Sequence, residues 1–529
     1  MRLPSVLPIY GLLGTSSALS TAPNNITAPV KNANHIFNVI QVSMRQWGSS
    51  LHHNGVSFFL AGVPAGTHFY HGTAEDSPVN GTEWLAFEPE HAMVFARPSW
   101  RPASPESNDS DAEERAGGHG ELRKRKHHDM DTGYAGQSPK AFDESQTGYL
   151  HTYAAAKDLR LLYIDGMSAA KTSKGTLDSQ DTVLFNGAFE GQPSERMRET
   201  ERARLACEMA DNEWEGRVDG VIRMDAGFEI ILCRFERDLN LVRITHAKRR
   251  SEEHRPPRAD RKDAGHDGPR KLDNGNQRRP GGPGDDPDSS RWMRGVTARY
   301  NGIGGNRVSL NFEHFVTAFA HDIDLYQDDT GNPRLVNLSR EDIAPIQAEI
   351  TDLVMTHHPF EAGKDWQAIA DMVVMRYSDE LAYFGSGNIE SIERLQSEIE
   401  RLLSPFIDYS ERDDDAEIER CATHFLPVPL ESGGLAARAI YSVANRICSN
   451  LVSAGHKKDL DSAIQVIKNL IEYLDWAKWK ECRGCAVNEV CVVPIWPMGT
   501  IQDYENPKCK DASAPYGDDG ESYWGGFHH

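Results

Sequence analysis

His71, Gly72 and Thr73 close a run, residues 67–71, whose side chains suit a β-strand. A single histidine is most often structural, but glycine beside it lets the backbone approach another group closely. Two large aromatics follow at a spacing of eleven, Trp84 and Phe95. Much further along, Glu229 opens the apolar run 229–233. A buried carboxylate is costly without a partner. Facing inward, Glu229 therefore signals function; facing outward, it is a solvated strand position. The run is apolar on both faces, so alternation leaves the choice open.

The elements that must position these residues read as follows. Residues 32–47 place Ile36, Val39, Ile40, Met44 and Trp47 on one helical stripe. Residues 56–63 form an apolar run ending at Pro64-Ala65-Gly66, which predicts two strands joined by a turn. After a polar loop, a strand is expected over 84–87, then a helix from Pro89. Proline suits a first helical turn, and Glu88 and Glu90 suit its positive end. Residues 159–164 read as a buried strand. Ser194 is expected to cap a helix through Trp214. Asp219-Gly220-Val221, the turn at Asp225-Ala226-Gly227 and the run from Phe228 predict a hairpin.

The order of these motifs resembles the ADP-ribosyltransferase fold of the poly(ADP-ribose) polymerases and their diphtheria-toxin-like relatives. There an H-G-(S/T) strand, an aromatic strand-helix pair and a late strand glutamate make the pocket for NAD. The resemblance covers residues 55–245. It implies that His71 bonds a ribose hydroxyl on the adenosine side and that Gly72 offers backbone groups to the carboxamide. Thr73 supports the same region. Phe95 stacks on nicotinamide, with Trp84 as the opposite wall. Glu229 binds the nicotinamide ribose and opposes its growing positive charge, the term that lowers the barrier. His71 and Glu229 are thus the expected catalytic pair, with NAD as substrate. Two departures stand out. Ala92 falls where the family grips the carboxamide with a hydroxyl, and His91 is its nearest substitute. Gly227, two before Glu229, lacks the acid or amide of the arginine- and asparagine-modifying toxins, which leaves the acceptor open. An RNA 2′-phosphotransferase reading of the same strand fits poorly with an acidic chain.

The 529 residues carry 57 basic and 79 acidic side chains, a formal charge of −22. That balance argues against nucleic acid or an anionic membrane as partner, and no run is long and apolar enough to span a bilayer. Residues 1–22 read as a secretory signal: Arg2, an apolar stretch over 3–13, then Ala18-Leu19-Ser20. Eight cysteines, an even number, and sequons at Asn25, Asn80, Asn108 and Asn337 agree with a secreted, disulfide-bonded glycoprotein. The expected architecture is α+β. An ADP-ribosyltransferase-like split β-sandwich with helices occupies 28–246, interrupted by a polar, disordered insertion at 98–146. A low-complexity linker, 247–291, follows, then an α-helical domain at 292–480 and a Cys-rich tail at 481–529. Helices are expected over 308–319, 344–357, 366–384, 388–406 (capped by Asn388), 435–452 and 460–479. The tail cysteines fit disulfides better than a zinc knuckle in an exported chain. His357-His358 and His528-His529 offer imidazoles but lack a third ligand at useful spacing, so no metal site is assigned. Two functions follow: a secreted NAD-dependent transferase or NAD glycohydrolase, or an inactive relative or interaction protein that binds a protein partner through its helical domain.

Overall fold

The computed structural model describes residues 26–96, 148–170, 174–189, 198–225, 227–247, 295, 302–327, 331–427, 434–482, 484–491 and 507–511. The signal segment, the 98–146 insertion, most of the 247–291 linker and the sequons Asn25 and Asn108 lie outside these residues. Asn80 and Asn337 lie within them, both exposed.

One nine-stranded sheet takes eight strands from the first half of the chain and one from the second. Its strands are β1 (Ser57–Val63), β2 (His68–Thr73), β3 (Glu83–Ala86), β4 (Tyr149–Ala155), β5 (Leu159–Ile164), β6 (Gly220–Met224), β7 (Phe228–Leu232), β8 (Leu239–His246) and β9 (Ser309–Thr317). The spatial order is β8-β4-β2-β3-β7-β6-β5-β1-β9. Only β5 and β6 run parallel. The seam between β2 and β3 is a single pair, Tyr70 with Ala86. Helices α1 (Ala33–Val42), α2 (Gln46–Leu51), α3 (Pro89–Met93), α4 (Glu199–Glu208) and α5 (Phe235–Asp238) belong to the first half.

The second half is helical: α6 (Arg340–Thr356), α7 (Trp366–Gly385), α8 (Ile392–Leu403), α9 (Asp414–Thr423), α10 (Leu435–Gly455) and α11 (Leu460–Leu474). Side-chain caps start most of them. Ser339 and Asp342 form a capping box on α6, and Asp365, Ser391, Asp413 and Asp459 accept first-turn N–H groups on α7, α8, α9 and α11. The protein is therefore α+β, with its sheet mainly in the first half and most of its helices in the second. Among the described residues no helix is long and apolar enough to cross a membrane.

One core runs through both halves, and α1 is the hinge between them. Its buried Ile36, Phe37 and Ile40 join that core. Asn38 donates to the Leu474 carbonyl at 2.9 Å, and Gln367 donates to the carbonyls of Ile40 and Ser43 at 3.0 and 2.9 Å. Arg45 grips Asp371 through both guanidinium nitrogens. On the other side, the Tyr163 hydroxyl accepts the Met44 N–H.

Several expectations need correction. The helix read over 32–47 is two helices, because Met44 sits in the left-handed region with φ 58°. The two strands expected either side of Pro64-Ala65-Gly66 are present as β1 and β2, though they do not pair with each other. β1 pairs with β5 and β9, and β2 with β3 and β4. Residues 309–317, read as helix, are the edge strand β9, which brings the second half of the chain back onto the sheet. The α8 cap is Ser391 rather than Asn388. The helix read over 460–479 ends at Leu474, where Asp475 turns left-handed.

All eight cysteines are paired: Cys207–Cys233, Cys421–Cys448, Cys482–Cys491 and Cys485–Cys509. The first ties α4 to the end of β7, the second α9 to α10. The last two staple the tail around a small hairpin, β10 (Glu489–Cys491) with β11 (Cys509–Asp511).

Candidate functional site

The three motif strands lie side by side as β2-β3-β7. Across an antiparallel pair, opposed side chains project to one side, and successive residues alternate. Tyr70 faces Ala86, Ala86 faces Glu229, and Glu229 faces Arg223 on β6. These four form one row on one face. Trp84, two residues before Ala86, and Gly72, two after Tyr70, share that face. His71 and Thr73 point to the other. The structure thus gathers Gly72, Trp84 and Glu229 and turns His71 away from them.

On the Glu229 face, the carboxylate is already engaged. Arg223 donates to it at 2.6 Å, and the same guanidinium reaches Glu199 on α4 at 2.7 Å and the Gln180 amide oxygen at 3.0 Å. Burial works against the Arg223 charge, but Glu199 and Glu229 hold it protonated. Next to it, fully buried Arg202 pairs with Asp181 at 2.7 Å and Glu199 at 3.1 Å. Two buried guanidiniums against three carboxylates form a closed network. Gly72 does make the close approach its type suggests, but to the protein itself. A Cβ there would lie 1.9 Å from the Ala92 carbonyl oxygen and 2.7 Å from the Ala96 nitrogen, so glycine lets α3 and the turn after it lie on β2. Trp84 is half-buried against the core. Phe95 is 54% exposed, its ring 6.2 Å from that of His91. No ring contact joins Phe95 to Trp84 among the described residues.

On the opposite face His71 is buried, edge-on to the rings of His151 and Phe235 at 6.1 and 5.7 Å. Its Nδ1 lies 2.7 Å from the Trp84 carbonyl, which it reaches across the β2–β3 seam. A carbonyl only accepts, so Nδ1 carries the proton and Nε2 is the lone-pair nitrogen, buried without a partner. Burial holds the ring neutral, its pKa lowered to about 4. Thr73 is half-buried, and its hydroxyl accepts the Glu75 N–H at 3.2 Å to start the loop 74–82.

Sequence reasoning missed the companions of His71. His151, opposite it on β4, has Nε2 2.9 Å from the Glu75 carbonyl and Nδ1 3.2 Å from the Tyr153 hydroxyl, which in turn accepts the Val79 N–H. Glu83, on the same face, has a buried carboxylate oxygen with no partner. Burial raises its pKa to about 7. The set Glu83, His71, His151 and Tyr153 lies beneath the loop that carries Asn80. Its sequence signal was a period of two on residues 149–155, visible only once β4 is paired with β2. Two groups of possible metal ligands occur among the described residues: Cys482, Cys485 and Cys509, all taken by disulfides, and His314, His357 and Glu361.

Fold and site together define a disulfide-bonded α+β protein whose sheet is welded to a helical array. A family model described as the YPL277C N-terminal domain matches residues 26–265. The chain is similar to the uncharacterized protein YPL277C of Saccharomyces cerevisiae, with 36% identity over 228 residues, 39% of this chain and 41% of that protein. It is also similar to the uncharacterized protein YOR389W of the same yeast, with 35% identity over 227 residues, 39% of this chain and 32% of that one. The chain thus spans less than half the length of these relatives. No solved structure matches.

Proposed function

We propose that the first half of the chain is an ADP-ribosyltransferase-like scaffold whose NAD-pocket motif has been turned to structural use, so that the protein binds rather than cleaves. The observation that carries this is the separation of His71 from Glu229. Both would have to meet over one dinucleotide; instead they point to opposite faces. Glu229 is spent on Arg223, Gly72 on α3, and His71 on the β2–β3 seam. The adjacency of the three motif strands supports the scaffold, and the engagement of Glu229, Gly72 and His71 Nδ1 argues against turnover. Four disulfides support an exported chain, since such bonds persist in oxidising compartments. The helical half is the natural binding surface. On the outer side of α7, Met372 and Met375 are 52% and 78% exposed, and methionine adapts to varied partners.

The test is incubation of the full chain with NAD and chromatographic measurement of free nicotinamide. Release should equal that of NAD alone, in the wild type and in Glu229→Gln. Release by the wild type that Glu229→Gln abolishes would overturn the reading and restore an NAD glycohydrolase or transferase.

A further inference from the structure

The edge strand β9 departs from regular pairing in a way that builds a second site. Phe59 on β1 faces Phe315, and Ala61 faces Leu310. Leu60 alone therefore stands against residues 311–314, which bulge out of the sheet. Bulges re-aim side chains and are built features rather than defects. This one is fixed from within: the Asn311 Oδ1 accepts the N–H groups of Glu313 and His314 at 3.0 and 3.1 Å.

The bulge docks on the connection between α6 and α7. Glu313 accepts the Lys364 N–H at 2.9 Å, and Asn311 donates to the His358 carbonyl at 3.0 Å. Phe360 from that connection lies over Gly62 of β1, where a Cβ would meet its ring at 2.4 Å. The result brings His314 from the bulge against His357 at the end of α6. Their rings stack at 3.6 Å with 12° between planes. Glu361 completes the group, with its carboxylate 3.5 Å from His357 Nδ1. The ligand atoms of the three residues all lie within 4.8 Å of one another.

We propose that His314, His357 and Glu361 form a surface site for a divalent ion of the zinc class, with a fourth position open to water or to a ligand from outside. Two imidazoles and a carboxylate are the donor set such ions prefer. Tetrahedral coordination at about 2.0–2.1 Å requires donor atoms about 3.4 Å apart, so the stacked rings must turn to bring their nitrogens onto one ion. The supporting contacts are in place. Glu361 accepts the His358 N–H at 2.7 Å and the Asn311 amide at 3.3 Å, which orients its carboxylate toward the rings. His358 points elsewhere, its Nδ1 accepting the Phe360 N–H. The facing charges favour a cation. Glu361, Glu313 and Asp352 lie near His314, and Arg160, which donates to the His357 carbonyl at 3.4 Å, stands beside them.

The experiment uses the full chain with disulfides intact, stripped with EDTA, and titrated with Zn²⁺ by calorimetry without reductant. One site is expected. His314→Ala and Glu361→Gln should each weaken it by at least about tenfold, with unchanged melting temperatures in the absence of metal. Replacing both terminal histidines, His528→Ala with His529→Ala, should leave it intact. Binding that survives His314→Ala and Glu361→Gln, binding lost with the terminal histidines, or the absence of a zinc site overturns the proposal.

Discussion

Glu83 offers the sharpest test of the buried cluster beneath the loop 74–82. Its carboxyl is raised from 4.5 to about 7, first by burial and only partly offset by a hydrogen bond from the Trp84 backbone. The folded state therefore holds this proton more tightly than the unfolded chain does. The stability it confers is complete below pH 4.5 and is lost as pH rises through 7. Between pH 5 and pH 8 that linkage amounts to about 2.5 kcal/mol. Glutamine has the same shape and no proton to lose. Any cost of its extra N–H is the same at every pH, so it cancels when the two proteins are compared across pH. Glu83→Gln should thus gain on the wild type by about 2.5 kcal/mol between pH 5 and pH 8. For a chain of this size that is about 2 °C in melting temperature, and the shared core makes one transition the expected form. Calorimetric scans of both proteins across that range measure it. A difference that stays flat with pH would refute the burial of Glu83 as a protonated acid.

Other outcomes follow from the same coordinates. His71 has the opposite sign. Its pKa is lowered by burial to about 4, so its stability is present above pH 6.5 and lost as pH falls through 4; in urea melts, His71→Gln should blunt the acid loss by about 3 kcal/mol. Gly72→Ala should cost about 3 kcal/mol or displace α3, because the new methyl group overlaps the Ala92 carbonyl; urea midpoints and protease sensitivity near residue 90 report it. Arg223→Met should cost about 3–5 kcal/mol by leaving Glu229 and Glu199 without their shared cation, visible as a lowered urea midpoint.

Local signals were readable in the sequence, and long-range pairing was not. The β6–β7 hairpin was legible because Asp225 and Gly227 mark its turn. The α3 start was legible because Pro89 follows an acidic residue. β1 and β2 were legible as two strands joined by a turn, but a Pro-Ala-Gly turn says only that two strands are near in sequence, not that they pair; β2 finds β4 across an insertion. β9 was misread because Phe312, Phe315 and Val316 fit a helical stripe as well as a strand, and only the bulge at 311–314 reconciles them. At the site, residue types were legible and orientation was not. Alternation is silent where a strand is buried on both faces, so the sequence could not say that Glu229 faces Arg223 while His71 faces His151. The metal candidate was half visible: His357 stood out, but its partner His314 lies 43 residues earlier on a strand that read as helix.

If the proposed reading holds, β2, β3 and β7 are closed to a dinucleotide by their own neighbours. A crystal structure of the full chain grown with saturating NAD tests it most directly. It should show Glu229 on Arg223, His71 on the Trp84 carbonyl, and no dinucleotide against β2, β3 and β7. A dinucleotide held there, with its nicotinamide ribose on Glu229 and its adenosine ribose on His71, would contradict the account.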